Sequence, residues 1–312
     1  MANMPVSVVA RAIRRRGSRD GGREDGARRL VGVRAFGARS IVAYVLLFAL
    51  TVYFLTPLYW LAISATKDNT DLFASFGLWL AHFNLAQNLA QTFTQDGGVY
   101  PRWIINTILY AGVGGFLSML VSVMAGFALA KYRFRGRSLI FGLVLGAVLV
   151  PQTTLALPLY MVMSKVNLTN TYWAVLLPSL LSPIGVLLAR IYVADAVPND
   201  LLDAARVDGA GELRVFARIV LPLLVPGMVT IFLFQFVAIW NNFFLPLIVL
   251  SDPNLFPVNV GLATWNFDPA SHATLYNLIV TGSFLAVLPL VVLFLFLQRF
   301  WRAGLAFGSV TG

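Results

Sequence analysis

The 312-residue chain contains no cysteine, which excludes a disulfide framework and any thiolate metal site. Its two histidines, His82 and His272, are too few for a histidine-rich metal centre. Charge is scarce as well: 12% of residues are charged and 59% are hydrophobic, whereas a soluble globular domain has roughly 25% charged and about 45–50% apolar residues. Lysine occurs three times, as Lys67, Lys131 and Lys165, after Thr66, Ala130 and Ser164. None follows glycine, so the chain has no Gly-Lys-Ser/Thr phosphate loop and cannot bind ATP by that chemistry. Paired catalytic carboxylates, His/Glu metal spacing and an activated nucleophile are all missing, which speaks against an intramembrane enzyme.

What the chain does have is long apolar runs. Six segments reach the ~20 residues that an apolar helix needs to cross the hydrocarbon core, at about 41–64, 104–130, 138–163, 173–194, 222–250 and 275–298. Aspartate and glutamate are absent from all six. Arg190 is assigned to the loop after the fourth run, which leaves the runs read as charge-free. The expected fold class is all-α: a polytopic membrane protein with six transmembrane helices. With the N-terminus placed in the cytoplasm, 20 of the 23 basic residues fall on the cytoplasmic side, and only Lys67, Arg102 and Lys165 fall outside it. That bias obeys the positive-inside rule and places both termini in the cytoplasm.

Ten arginines crowd into the first 39 residues, between Arg11 and Arg39, with almost no apolar periodicity. Such a segment buries too little apolar surface to offset its ordering entropy. It is read as a disordered basic tail that touches anionic lipid, not as a nucleic-acid binder. The chain thus divides into this tail (1–39), a first transmembrane helix with an external loop (40–100), a transmembrane core (101–299) and a cytoplasmic C-terminal tail (300–312). The outer loops carry Asp68, Asp71 and Asp96, then Asp252 and Asp268 with Trp265 and Phe267. Prolines interrupt the later runs at Pro151, Pro158, Pro178, Pro183, Pro226, Pro246 and Pro289. Each removes a backbone donor and kinks its helix, a pattern that suits a moving channel better than a simple anchor.

The most informative stretch is the cytoplasmic loop 195–221. Pro198 and Asn199 announce a helix start, with Asn199 or Asp200 as cap and Asp203 in the first turn. Ala204 and Ala205 present a small, flat surface, and Asp208-Gly209 is a turn signal. A second helix follows over Glu212 to Val220, with Val215, Phe216 and Ile219 at helical spacing. The spacing predicts a short helix–turn–helix standing in the cytoplasm between the fourth and fifth spans.

This loop resembles the coupling loop of ATP-binding-cassette importer permeases, with its pattern E-A-A-x-x-x-G and a downstream I-x-L-P. Asp203-Ala204-Ala205 matches the first element, with aspartate where glutamate is usual. Gly209 matches the glycine, and Ile219-Val220-Leu221-Pro222 matches the last element. The resemblance extends over about residues 41–312. It includes Ala130-Lys-Tyr-Arg-Phe-Arg-Gly-Arg137, Val150-Pro-Gln-Thr153, Asn167 to Trp173, Ile239 to Leu247 and the tail Arg299 to Gly312, which is similar to that of the maltose-system G-type permeases.

The resemblance implies a type I importer permease fold in a bacterial inner membrane. It implies that Asp203, Ala204, Ala205, Asp208, Gly209, Ala210, Ile219 and Pro222 couple to an ATPase, and that the tail contacts it around Gly304, Gly308 and Gly312. The implied partners are a second, homologous permease, two cytoplasmic ATP-binding subunits that carry the ATP and magnesium, and an extracytoplasmic solute-binding protein. This chain itself would bind no cofactor and no metal.

Spans furnished with amides, hydroxyls and aromatics suit a neutral, polyhydroxylated cargo, and the resemblance points to a sugar or sugar-like solute. Candidate path residues are Gln152, Gln235, Trp240, Asn241, Asn242 and Phe243, with Asn106 and Thr153 as further polar groups. The alternative is a sodium-coupled secondary transporter of a neutral solute, because sodium sites can be built from carbonyls and hydroxyls alone. Proton coupling is disfavoured, because no intramembrane carboxylate or histidine is present.

Overall fold

The computed structural model describes residues 38–267 and 275–307, and these are helical throughout apart from connecting turns. The N-terminal arginine segment, Asp268 and the last five residues lie outside the described residues. The chain separates between Leu55 and Thr56 into two units. The first unit is described only by the start of helix α1 (Ala38–Ser64), whose residues from Ser40 to Leu55 are all exposed. An apolar helix with no buried face suits a membrane-spanning segment, since water would not tolerate that surface.

The second unit is organised around α4 (Tyr100–Lys131), an uninterrupted helix of 32 residues. At 1.5 Å per residue it is about 48 Å long, enough to cross the bilayer and protrude. One face of α4 carries Gly114, Ser118, Ser122 and Gly126, all buried. Residues four apart share a helix face, so these four form a flat strip against which other backbones can close. Helix α8 (Pro183–Ala196) takes that place: a Cβ added at Gly126 would lie 2.6 Å from the Ala189 Cβ and 2.7 Å from the Arg190 amide nitrogen. On the neighbouring face, α11 (Val225–Trp240) approaches Gly115, where an added Cβ would meet the Phe236 amide nitrogen at 3.2 Å.

The apolar runs are less straight than the sequence implies. Among the described residues four helical segments are long and apolar enough to cross a membrane, Tyr172–Ala196 counted as one of them, and six result only if two bent pairs each count as one span. The run at 138–163 breaks into α5 (Arg137–Val148) and α6 (Gln152–Lys165), bent by 107°. Pro151 explains the break: it disfavours the helical region for Val150 and is itself extended, with ψ 128°. The run at 222–250 breaks at Leu224 between α10 (Glu212–Leu223) and α11, by 82°. Pro226 sits in the first turn of α11, where its missing N–H leaves nothing unsatisfied. That run stops again at Trp240, and the short α12 (Phe244–Val249) follows. The fourth run is also divided, into α7 (Tyr172–Ser179) and α8, with Ser182 capping α8 through the Gly185 amide at 3.0 Å. Arg190 lies inside α8, not in the loop that follows, and its guanidinium sits 3.9 Å over the Phe141 ring.

Three of the acids expected in the external loops are engaged within the chain. Asp68 caps α2 (Asn69–Ala74) through the Asp71 amide at 2.8 Å, and Asp71 accepts from the His82 amide at 3.1 Å. Asp96 accepts from the Trp265 indole at 2.7 Å. Asn106 is buried: its amide nitrogen donates to the Asn254 and Phe256 carbonyls at 2.8 and 3.0 Å, and its oxygen accepts from the Tyr172 hydroxyl at 3.0 Å. It ties α4 to the segment before α13 (Val258–Phe267), which accounts for its polarity without any contact to cargo.

Candidate functional site

The predicted helix–turn–helix is present as α9 (Asn199–Val207) followed by α10. Its details depart from expectation in two places. Pro198, with φ −65°, occupies the cap position and Asn199 does not cap; the Asn199 side chain instead accepts from Lys131 Nζ at 3.1 Å. The acid of the first turn is Asp200, while Asp203 sits a turn later and accepts from Arg206 Nη1 at 3.0 Å. The turn itself follows the sequence signal. Gly209 has φ +79°, a conformation that costs any residue with a Cβ roughly 1–2 kcal/mol. Around it the Asp208, Gly209 and Ala210 amides donate to the carbonyls of Ala204, Arg206 and Ala205, each at 3.0 Å, and close the end of α9.

A polar clamp spans the two arms. Arg206 donates from Nε to Glu212 at 2.9 Å as well as to Asp203, and the Tyr132 hydroxyl donates to the other Glu212 oxygen. The Arg206 hydrogen bond, with the Tyr132 hydroxyl behind it, holds the Glu212 carboxyl below its usual range. Partial burial, and then the Glu212 carboxylate, push the Tyr132 hydroxyl up. Lys131 donates to the Val197 carbonyl at 2.5 Å, so the end of α4 holds both the entry and the far arm of the knob. Lys131, Tyr132, Arg206 and Glu212 hold this knob together, and the sequence reading did not single them out as site residues. Their one signal was the close spacing of opposite charges at Asp203, Arg206 and Glu212.

Under the clamp lies an apolar root. Leu202 is 1% exposed, and Val197, Val215 and Val220 are fully buried. They share one cluster with Phe127 of α4, Val193 of α8 and Ile231 of α11, with Ala205, Ala210, Phe216 and Ile219 packed against it. The opposite side of the knob is open: Asp203, Ala204, Asp208 and Gly209 are exposed, and Val207 and Leu213 are 88% and 82% exposed. Residues Phe216–Val220 form a π-helical turn, in which the Leu221 amide reaches back to the Phe216 carbonyl. The wider turn accommodates the next residue, Pro222, which has no amide hydrogen and would otherwise crowd the preceding turn.

The candidate path residues separate into two groups. Gln235 is 7% exposed and donates to the Ser182 hydroxyl at 2.7 Å. Trp240 is 2% exposed, and its ring is stacked on Phe236 at 5.4 Å. Both face the interior of this subunit; Gln235 ties α11 to the start of α8, whereas the Phe236 partner of Trp240 lies on the same helix. Asn241 is exposed, Asn242 and Phe243 are half-buried at the break after α11, and Gln152 and Thr153 are exposed at the break before α6. These five are the ones grouped at the two interrupted helix ends. Gly304 lies in α14 (Tyr276–Phe307), whereas Gly308 and Gly312 lie outside the described residues.

A helical unit with long apolar spans, two of them bent, and a helix–turn–helix rooted among them has the make-up of a membrane transport subunit. Residues 118–305 match the family described as binding-protein-dependent transport system inner membrane component, and the chain belongs to that family. It is therefore a transport component of a membrane importer and not an enzyme. The chain is 40% identical over 225 residues to the arabinooligosaccharides transport system permease protein AraQ of Halalkalibacterium halodurans, covering 72% of this chain and 79% of that one. It is 35% identical over 265 residues to the protein of the same name from Bacillus subtilis, covering 84% and 92%. Its fold is similar to a chain in the crystal structure of a bacterial ABC transporter involved in the import of the acidic polysaccharide alginate. The TM-score is 0.72 at 19% identity, with 85% of this chain and 97% of that chain covered.

Proposed function

We propose that this chain is one of two permease subunits of an ATP-driven importer in a bacterial inner membrane, and that it forms half of the pathway for a sugar or sugar-like solute. In this reading six spans cross the membrane with both termini in the cytoplasm; α5 and α6 count as one interrupted span, and α11 with α12 forms the fifth, entered from the second arm of the knob. Residues 40–100 contribute the first span and an external loop, and residues 101–299 form the core. The cargo arrives on an extracytoplasmic binding protein. Two cytoplasmic subunits hold the ATP and magnesium, and a second, homologous permease completes the channel. The relatives named for arabinooligosaccharide transport support the carbohydrate class.

The observation that carries the proposal is the two-sided construction of the knob. Its root shares a packed cluster with α4, α8 and α11, and its tip offers Ala204, Val207 and Leu213 to a partner. A close-packed interior transmits displacement instead of absorbing it. An ATPase subunit seated on the tip therefore moves the root, and the root moves three helices of the pathway. The broken helix ends at Gln152 and at Asn241 to Phe243 supply uncharged polar and aromatic groups for the cargo. Gly304, Gly308 and Gly312 are proposed to lie along the ATPase interface. No observation favours the sodium-coupled alternative.

Affinity purification in mild detergent tests the assembly: it should recover an ATPase and a second permease with this chain. Asp203→Arg should release the ATPase while leaving membrane insertion intact. Recovery of a lone homo-oligomer with sodium-dependent uptake would refute the proposal.

A further inference from the structure

The basic residues at the end of α4 and the start of α5 do more than set orientation. Arg137 lines two adjoining recesses. One, of ≈ 430 Å³, is walled by Arg137, Arg190 and Asp195, and the other, of ≈ 390 Å³, by Arg133, Arg137 and Ser138. Two arginines thus share the first recess with the one carboxylate, and Arg133 adds a third guanidinium in the adjoining recess. Asp195 neutralises none of them, because the ion pairs among the described residues are His82 with Asp71 and Arg206 with Asp203 and Glu212.

Arg190 is the telling member of the group. It stands inside a membrane helix, half-buried, and its recorded partner is the face of Phe141, 3.9 Å from the guanidinium carbon. An aromatic face interacts with the charge but accepts none of the five N–H donors in their own plane. A charged residue in a span is costly unless an acceptor meets it. Arg137 offers a single donor contact, 3.4 Å to the Ala130 carbonyl, and keeps the rest of its fork free. The matching acceptor is a small, multi-oxygen anion that reaches this depth.

The surroundings favour an anion with an apolar body. On α5, Leu139 and Leu143 are 69% and 65% exposed, four residues apart on one face beside the recess. A free phosphate would use the arginines and leave this face bare, whereas a phospholipid uses both.

We propose that Arg133, Arg137 and Arg190 form a binding site for the phosphodiester headgroup of an anionic glycerophospholipid of the cytoplasmic leaflet, with an acyl chain along Leu139 and Leu143. Basic recesses between membrane helices on the cytoplasmic side hold such headgroups. The site is separate from the knob and from the proposed path, and it depends only on the membrane placement of α4, α5 and α8.

Native mass spectrometry of the full chain tests the site, with phosphatidylglycerol and phosphatidylcholine of identical acyl chains as probes. Wild type should retain phosphatidylglycerol preferentially, and Arg137→Gln with Arg190→Gln should lower that retention roughly 30-fold, from the loss of two basic contacts near the surface. Arg190→Lys should recover part of it, and Lys165→Gln, which removes the same charge from the exposed outer side, should leave it unchanged. Retention that is equal for the two lipids, or unaltered in the double variant, overturns the site. Full displacement of the lipid by excess inorganic phosphate would reassign the site to a free anion and overturn the lipid assignment. Cross-linking of Arg137 to an acidic residue of a bound ATPase subunit, with no retained lipid, would overturn it in favour of a protein contact.

Discussion

Truncating Leu202 to alanine separates docking of the motor from transmission of its movement. The side chain is 1% exposed and sits in the root cluster with Phe127, Val193 and Val215. Replacing a buried leucine by alanine costs about 2–5 kcal/mol, through lost transfer energy and the cavity left behind. A mid-range loss of about 3 kcal/mol shifts the equilibrium between a seated and an unseated root by roughly 100-fold. The tip residues Ala204, Val207 and Leu213 are untouched, so the ATPase remains bound. The assay is ATP hydrolysis by the assembled transporter in nanodiscs, with and without loaded binding protein. Leu202→Ala should keep basal hydrolysis and lose most of the stimulation, together with uptake. Normal stimulation in a normally assembled variant would refute the idea that the buried root carries the signal.

Three further outcomes follow from the same geometry. Gly209→Pro should abolish transport without preventing membrane insertion, because φ +79° is closed to proline and the Gly209 amide bond to the Arg206 carbonyl is lost; transport assays on membrane-inserted protein decide it. Gly126→Ala forces a methyl group to within 2.6 Å of Ala189 and should cost about 1–3 kcal/mol, read as a lower melting temperature in detergent, whereas Gly112→Ala, with open space around it, should not lower it. Glu212 titrates below its ordinary value of 4.5, so its stabilising effect is present above that value and is lost as pH falls through the depressed one. The protection of amides over residues 200–215, taken relative to the intrinsic exchange rate at each pH, should therefore hold from neutral pH down to that range and then fall, and Glu212→Gln should remove the transition.

The membrane class and the knob were legible because both rest on strong local signals. Long apolar runs have one physical destination, and Asp208-Gly209 between two amphipathic segments specifies a left-handed turn. The breaks at Leu149 to Pro151 and at Leu224 were not legible, since a run of apolar residues reads the same whether straight or bent by 107°. The prolines marked where bending was possible but gave no angle. Arg190 was misplaced because the positive-inside rule counts charges near helix ends without fixing the end. Asn106, Gln235 and Trp240 illustrate a further limit. Polarity within a span marks a group that needs partners, and only the packing shows that the Asn254 carbonyl and the Ser182 hydroxyl supply them for Asn106 and Gln235, while Trp240 is buried in the apolar core. The clamp of Tyr132 and Lys131 onto the knob joins residues more than 60 positions apart, beyond the reach of any local pattern.

A single-cysteine cross-linking experiment at the tip addresses the central claim most directly, and the absence of native cysteine makes it clean. Ala204→Cys, placed on the exposed side of α9, is treated with a short bifunctional thiol reagent in membranes that contain the whole transporter. The account predicts a cross-link to the nucleotide-hydrolysing subunit, with a yield that changes when ATP is added. Modification of Ala204→Cys by a membrane-impermeant thiol reagent applied outside intact cells would contradict it.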